Sequence, residues 1–284
     1  MKEVVLNFDS SRAWRDAMAL IQANREVLVA VAGVFFLLPG IASALFLTDY
    51  QNNLMANIGN SAAMRQLMEG NVGKVTSFGL ISLLLQSLGH MAMLALLTDR
   101  SRPTVGQAMG IAVRAFPTLA ATILIVFAGY LLGALIYAVF AGVLGVATGI
   151  GMLTFVLILL LAGVMVYVMV KLSLTMPVIV IEKVLNPFAA LTRSWRLTRG
   201  NSLRLFMFYL LLALIYLVIA TVFSGGIMLV TTLAAGEGTL SLVIAALVSG
   251  LFGAAGSLVV TAILAAIHRQ LAGPSAESLG ATFD

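Results

Sequence analysis

Six runs of about 20 apolar residues each, the length that crosses roughly 30 Å of hydrocarbon, account for nearly half of this 284-residue chain. They fall at 27–47, 75–97, 118–142, 152–172, 205–223 and 242–267. Backbone N–H and C=O groups inside hydrocarbon find no water, so each run must satisfy them internally as a helix. The expected fold is therefore all-α and polytopic, with six transmembrane helices in a single membrane domain over 1–284. Apolar residues make up 61% of the chain and charged residues 10%, whereas a soluble domain carries about 25% charged residues.

Charge gives the runs a direction. Lys2, Arg12, Arg15 and Arg25 precede the first run, Arg100, Arg102 and Arg114 lie between the second and third, and Lys171, Lys183, Arg193, Arg196, Arg199 and Arg204 surround the fourth-to-fifth connection. Arg269 follows the last run, and of the 16 basic residues only Arg65 and Lys74 fall on the other side of the alternation. Translocating Lys and Arg is unfavourable, so the rich side is expected to be cytoplasmic, with both termini inside. The matching partner is the anionic inner leaflet, at about 1 kcal/mol per basic residue near the surface. Nucleic acid fits poorly, because the charge is spread among lipid-facing segments and no reading motif accompanies it.

The chain has no cysteine, which excludes disulfides, thiolate metal sites and thiol nucleophiles. Ala42-Ser43-Ala44 matches a small-x-small cleavage site. The apolar stretch before it is longer than the roughly 7–15 residues of a signal-peptide core, so an uncleaved first span is expected. Pro39-Gly40 should kink that span. The connections 48–74, 143–151 and 224–241 are expected outside, the first as a solvated segment holding a short helix over 62–69 capped by Asn60 or Ser61.

Three segments on the basic side each begin with a capping residue: Asp9, Thr104 and Asn186. Eight positions on stands a small residue, Ala17, Ala112 or Ser194, and the next is bulky, Met18, Val113 or Trp195. Pro187 takes the first helical position, where a missing N–H costs nothing. The expected unit is an interfacial amphipathic helix plus a transmembrane hairpin, repeated three times over about 9–97, 103–172 and 186–268, with a short polar tail at 269–284. Helical spacing puts Phe188, Leu191, Trp195 and Thr198 on one face of the third copy, and Trp14, Met18 and Ile21 on one face of the first. Arg12, Arg15, Arg193, Arg196 and Arg199 beside these faces read, with Trp195, as contacts to lipid or a membrane-bound partner. Small-residue stripes at Ser249, Gly253, Ser257, Thr261 and Ala265, and at Gly129, Gly133, Ala141 and Gly145, should let spans pack closely.

Two polar features stand apart. Gln86 and His90 sit four apart inside the second run, either bonded to each other, lining a polar cavity or packed between helices; no carboxylate lies deep in a span to complete a proton relay. Glu182 follows Pro177-Val-Ile-Val-Ile and is expected to pair with Arg193 or Arg196, with Asn186 and Ser194 as structural positions. His268, beside Arg269 at the end of the last run, reads as an interfacial anchor.

Lys171, Pro177, Glu182, Ala190, Leu191, Ser194, Leu197 and Gly200 form a pattern that resembles the bacterial integral-membrane family named for the glycerophosphoryl diester phosphodiesterase membrane domain, which includes YciC-like proteins. The resemblance implies a polytopic bacterial inner-membrane protein of poorly defined function. Phosphodiesterase chemistry is not expected, because the two His residues are isolated, no metal-ligand spacing occurs, and a catalytic barrel alone needs about 250 residues. No metal or cofactor is expected. The expected function is non-catalytic: basic cytoplasmic-face helices that engage anionic lipid or a membrane-associated partner. The alternative is a transporter or lipid-handling protein with a polar cavity between repeats.

Overall fold

The computed structural model describes residues 7–98, 103–148, 151–235 and 239–273, and these are helical with short breaks. The helices run α1 (Ser10–Ala23), α2 (Arg25–Ala32), α3 (Leu38–Ala56), α4 (Ser61–Thr98), α5 (Val105–Thr148), α6 (Gly151–Leu172), α7 (Thr175–Ile181), α8 (Pro187–Leu197), α9 (Ser202–Ala235) and α10 (Thr239–Ala272). Six of the helical stretches are long and apolar enough to cross a membrane: Arg25–Ala56, Ser61–Thr98, Val105–Phe140, Phe155–Ile181, Ser202–Thr231 and Val243–Ala272.

The connections differ from expectation. Segment 48–74 is largely exposed, but it is helix well beyond 62–69: α3 runs on to Ala56 and α4 starts at Ser61 as one helix into the span. Asn60 caps α4, its Oδ1 accepting from the Ala63 amide at 3.1 Å, and Gly59 makes the turn at φ 97°. Likewise α5 persists to Thr148 and α9 to Ala235, so the expected turns at 143–151 and 224–241 are helix except at 149–150 and 236–238, which lie outside the described residues. A helix that has left the hydrocarbon needs no apolar side chains to continue. Its backbone bonds are already made, and adding a residue to a formed helix is inexpensive.

All three capping residues do what their chemistry predicts. The Arg12 amide donates to Asp9 Oδ1 at 3.0 Å and the Ala189 amide to Asn186 Oδ1 at 3.1 Å. Thr104 and Gln107 bond reciprocally, at 3.3 Å to the Thr104 hydroxyl and 2.9 Å to the Gln107 side chain, as a capping box does. The small residues eight positions on, Ala17, Ala112 and Ser194, have no exposed surface (0%), nor do those four positions on, Ala13, Ala108 and Ala190. The second copy is not a separate interfacial helix, however. It forms the first turns of α5, a continuous helix of 44 residues that carries Pro117 inside it.

The chain divides into two compact units. One comprises Ala17–Ala112 and Leu211–Ala262. Here the expected kink takes the form of a π-helical turn over Gly33–Leu37, with the Leu38 amide bonded to the Gly33 carbonyl. Pro39 has no N–H for the Phe35 carbonyl, and its ring crowds that carbonyl, so the ladder shifts before the proline. Backbones then approach closely. A Cβ on Gly40 would stand 3.2 Å from the Gly250 Cα, and one on Gly250 would stand 3.2 Å from the Leu37 carbonyl oxygen. Tyr216 stacks on Phe252 at 5.1 Å between ring centres, over the space that Gly256 leaves open.

The buried stripe of α10 is Ala246, Gly250, Ala254, Leu258, Ala262 and Ala266, one position round the helix from the expected one. Of the expected set, Ser249 is exposed, Gly253 and Ser257 are half-buried, and only Thr261 and Ala265 are buried. The described part of the stripe expected on α5 meets no neighbour among the described residues: a Cβ at Gly129 or Gly133 would find nothing within 4 Å. Nothing is described of the Ala141 and Gly145 side chains.

The other unit comprises the chain up to Asp16, Val113–Leu210 and the residues from Ile263 onward. Its core holds Leu119, Val170, Leu174, Val178, Ile179, Leu205, Phe208 and Ile267. The short helix α7 is buried along Thr175, Pro177, Val178, Ile179 and Val180.

Candidate functional site

The chemistry of the second unit gathers where α6 ends. A helix leaves its last carbonyls without intrahelical partners, and the Lys171 carbonyl is taken by two hydroxyls of α8, Ser194 at 2.9 Å and Thr198 at 3.3 Å. Both side chains are fully buried. The inward face of α8 is thus mostly small, with Ala190, Ser194 and Leu197 buried and Thr198 buried at its C-cap. This corrects the expected grouping. Phe188 and Trp195 are exposed, at 64% and 39%, and Thr198 does not share their face. In α1 likewise, Ala13 and Ala17 are buried and Trp14 is 43% exposed.

Glu182 meets Arg193 as expected. Arg193 Nε donates to Glu182 Oε2 at 2.8 Å and to Oε1 at 3.2 Å. His268 is not an interfacial anchor: it is buried, and its Nε2 donates to Glu182 Oε1 at 2.9 Å. Burial alone would raise the Glu182 pKa, but the hydrogen bonds from His268 and Arg193 outweigh it and hold the carboxyl at about 2.

His268 begins a tripeptide that sequence reasoning missed. Arg269 binds Asp16 at 2.9 Å, and Asp16 also lies 3.9 Å from Arg12. Gln270 bonds reciprocally with the Asp9 backbone, accepting from its amide at 3.3 Å and donating to its carbonyl at 3.2 Å. Asn201 accepts from the Phe8 amide at 2.9 Å, and Arg204 donates to Asn7 at 3.2 Å. The end of α10 therefore ties α1 to the link between α7 and α8. The only local signal was three consecutive polar residues ending an apolar run.

Lys171 was also missed as a site. The residue is 3% exposed, with its Nζ 5.3 Å from the centre of the Trp195 ring and 5.6 Å from that of Tyr167. The two rings meet edge to face at 5.8 Å.

Of the residues expected to face lipid, Arg193 is committed to Glu182. Arg12 is exposed beside Asp16, and Arg15, Arg196 and Arg199 are exposed.

In the other unit, His90 does not bond to Gln86, which is exposed. His90 Nδ1 lies 2.7 Å from the Thr261 hydroxyl, and its ring meets Phe36 edge-on at 4.6 Å. The Thr261 hydroxyl has one proton and donates it to the Ser257 carbonyl at 2.7 Å, so Nδ1 is the donor to Thr261. His90 thus joins α4 to α10 through a packed contact.

Among family models, one described as a domain of unknown function (DUF7847) matches residues 11–277. That match carries no link to the phosphodiesterase membrane-domain family. No curated protein and no solved structure matches the chain.

Proposed function

The chain belongs to the DUF7847 family, which brings no activity with it, and we propose from its own residues that it is a non-catalytic protein of a bacterial inner membrane whose basic face engages anionic lipid. The observation that carries this reading is a charge imbalance. In the unit built around α8, the described acids Asp9, Asp16 and Glu182 are all committed, to the α1 cap, to Arg269 and to Arg193 with His268. Arg15, Arg196 and Arg199 are exposed and have no carboxylate in contact among the described residues. Exposed Phe188 and Trp195 beside these arginines suit a helix at the depth of the headgroups, where aromatic rings and basic residues both find favourable surroundings.

Replacing Arg15, Arg196 and Arg199 together by Gln is expected to strip anionic lipid from the purified protein, read by native mass spectrometry, while thermal stability in detergent stays unchanged. Unaltered retention of phosphatidylglycerol would overturn the reading. Arg193 is left out because it is paired. Orientation has its own test, made simple by the absence of native cysteine. A cysteine replacing Asn57 is expected to react with an impermeant thiol reagent in intact cells, and one replacing Leu185 is not. The opposite pattern would reverse the assignment of sides.

A further inference from the structure

Lys171 combines three properties that leave its charge without a partner in the protein. It is almost entirely buried. Its ammonium donates to no acceptor among the described residues, although the group has three donors. Its charged neighbour is Arg199, whose like charge repels it. The acids that could relieve this are engaged elsewhere: Glu182 by Arg193 and His268, Asp16 by Arg269 and Arg12, Asp9 by the α1 amides. The faces of Trp195 and Tyr167 offset part of the charge, but a ring quadrupole accepts no proton. Among the described residues no enclosed side-chain nitrogen or oxygen lacks a hydrogen-bond partner. The unpartnered ammonium therefore keeps some contact with the surface.

We propose that Lys171 and Arg199, walled by Trp195 and Tyr167, form a discrete seat for the phosphate of an anionic phospholipid. A phosphate oxygen accepts from the ammonium and another from the guanidinium, giving charge-assisted bonds that the protein itself does not supply. A lipid is favoured over free phosphate because the seat stands at the end of an apolar span. Val164 and Tyr167, 50% and 48% exposed on the same face of α6 as Lys171, give acyl chains an apolar wall beside it. The aromatic pair belongs at headgroup depth. The seat rests on the reading that this face meets anionic lipid, and adds that one headgroup binds at a fixed place with Lys171 as its anchor.

The chain contains two tryptophans, Trp14 and Trp195, so Trp14→Phe leaves Trp195 as the sole reporter. In that background, phosphatidylglycerol titrated into the detergent-solubilised full chain is expected to change Trp195 emission saturably. Phosphatidylcholine and inorganic phosphate are expected not to. Lys171→Met should weaken the phosphatidylglycerol affinity about tenfold or more, as loss of one charge-assisted bond does. Arg199→Gln, at an exposed position, should weaken it about threefold to tenfold on the same grounds, and it tests the seat even if Lys171→Met does not fold. Arg15→Gln with Arg196→Gln, which removes only the general attraction of the basic face, should weaken that affinity less than either of these changes. Wild-type affinity in folded Lys171→Met or in Arg199→Gln overturns the seat. Equal weakening by the Lys171, Arg199 and Arg15/Arg196 changes also overturns it, and leaves a diffuse basic face. Absence of any phosphatidylglycerol response removes both readings. An equal response to inorganic phosphate alone overturns the lipid as the ligand.

Discussion

Gly89→Ala is expected to destabilise the protein sharply, whereas Gly133→Ala leaves it unchanged or slightly more stable. Both glycines lie inside long helices, where alanine is intrinsically better by about 1 kcal/mol. What differs is the space around them. A Cβ at position 89 would stand 2.5 Å from Phe35 Cβ, 2.9 Å from Phe36 Cε2 and 3.1 Å from Phe35 Cγ. Phe35 Cβ is fixed to the backbone beside the π-helical turn and cannot swing away, so α4 must move off that turn. Overpacking of this kind costs about 1–3 kcal/mol for small additions, and here it also strains the Phe36–His90 contact at 4.6 Å. At Gly133 a Cβ meets nothing within 4 Å. Thermal unfolding in one detergent measures both. A Gly89→Ala protein as stable as the parent would show that the approach of α4 to Phe35 is not tight.

Acid should remove the stability that Glu182 contributes, over a window set by its two pKa values. The folded carboxyl is held at about 2 by His268 and Arg193, below its ordinary 4.5. A depressed pKa stabilises the fold fully above the unfolded value, and the contribution is lost as pH falls from 4.5 towards 2. Stability should therefore fall more steeply across that interval in the parent than in Glu182→Gln. The substitution itself leaves Arg193 and His268 without their carboxylate. Breaking a buried pair costs about 3–5 kcal/mol. The Arg193 side chain is 36% exposed, so about 2 kcal/mol is the expected loss at neutral pH, again by the buried-pair rule. That corresponds to roughly 4–8 °C for a chain of this size. Identical pH profiles for the two proteins would remove Glu182 as the source.

Features legible in the sequence are those whose cause is local. Asp9, Thr104 and Asn186 were recognisable because a cap is decided within four residues. Glu182 and Arg193 stand 11 apart, near enough for a short link to bring them together. The third partner of that carboxylate, His268, is 86 residues away, and no spacing rule reaches it. The buried stripe of α10 was misplaced by one position for a different reason. Small residues line both Ser249–Gly253–Ser257 and Ala246–Gly250–Ala254, so periodicity alone does not say which row meets a neighbour. The choice falls on Gly250 because Leu37 and Gly40 approach there, a fact of tertiary packing. On α8, spacing grouped Thr198 with Phe188 and Trp195, but Thr198 is buried while the two rings are exposed. The inward row is filled by Ala190 and Ser194, small residues that let α8 approach the end of α6.

The bond between Asp9 and Gln270 joins residues 261 positions apart, and it has a consequence for how the protein is made. Synthesis runs from the amino end, so α1 emerges with Asp16 facing no Arg269, and Glu182 later meets Arg193 while His268 is still unmade. Until the last helix is threaded into the bilayer, the nascent chain carries an unfinished basic unit. Arrival of three consecutive residues, His268, Arg269 and Gln270, then secures the first helix and the middle of the chain together. The unit therefore closes only once these three residues have been made, and a chain cut short before Ile267 would leave both ends of the network open to surveillance proteases.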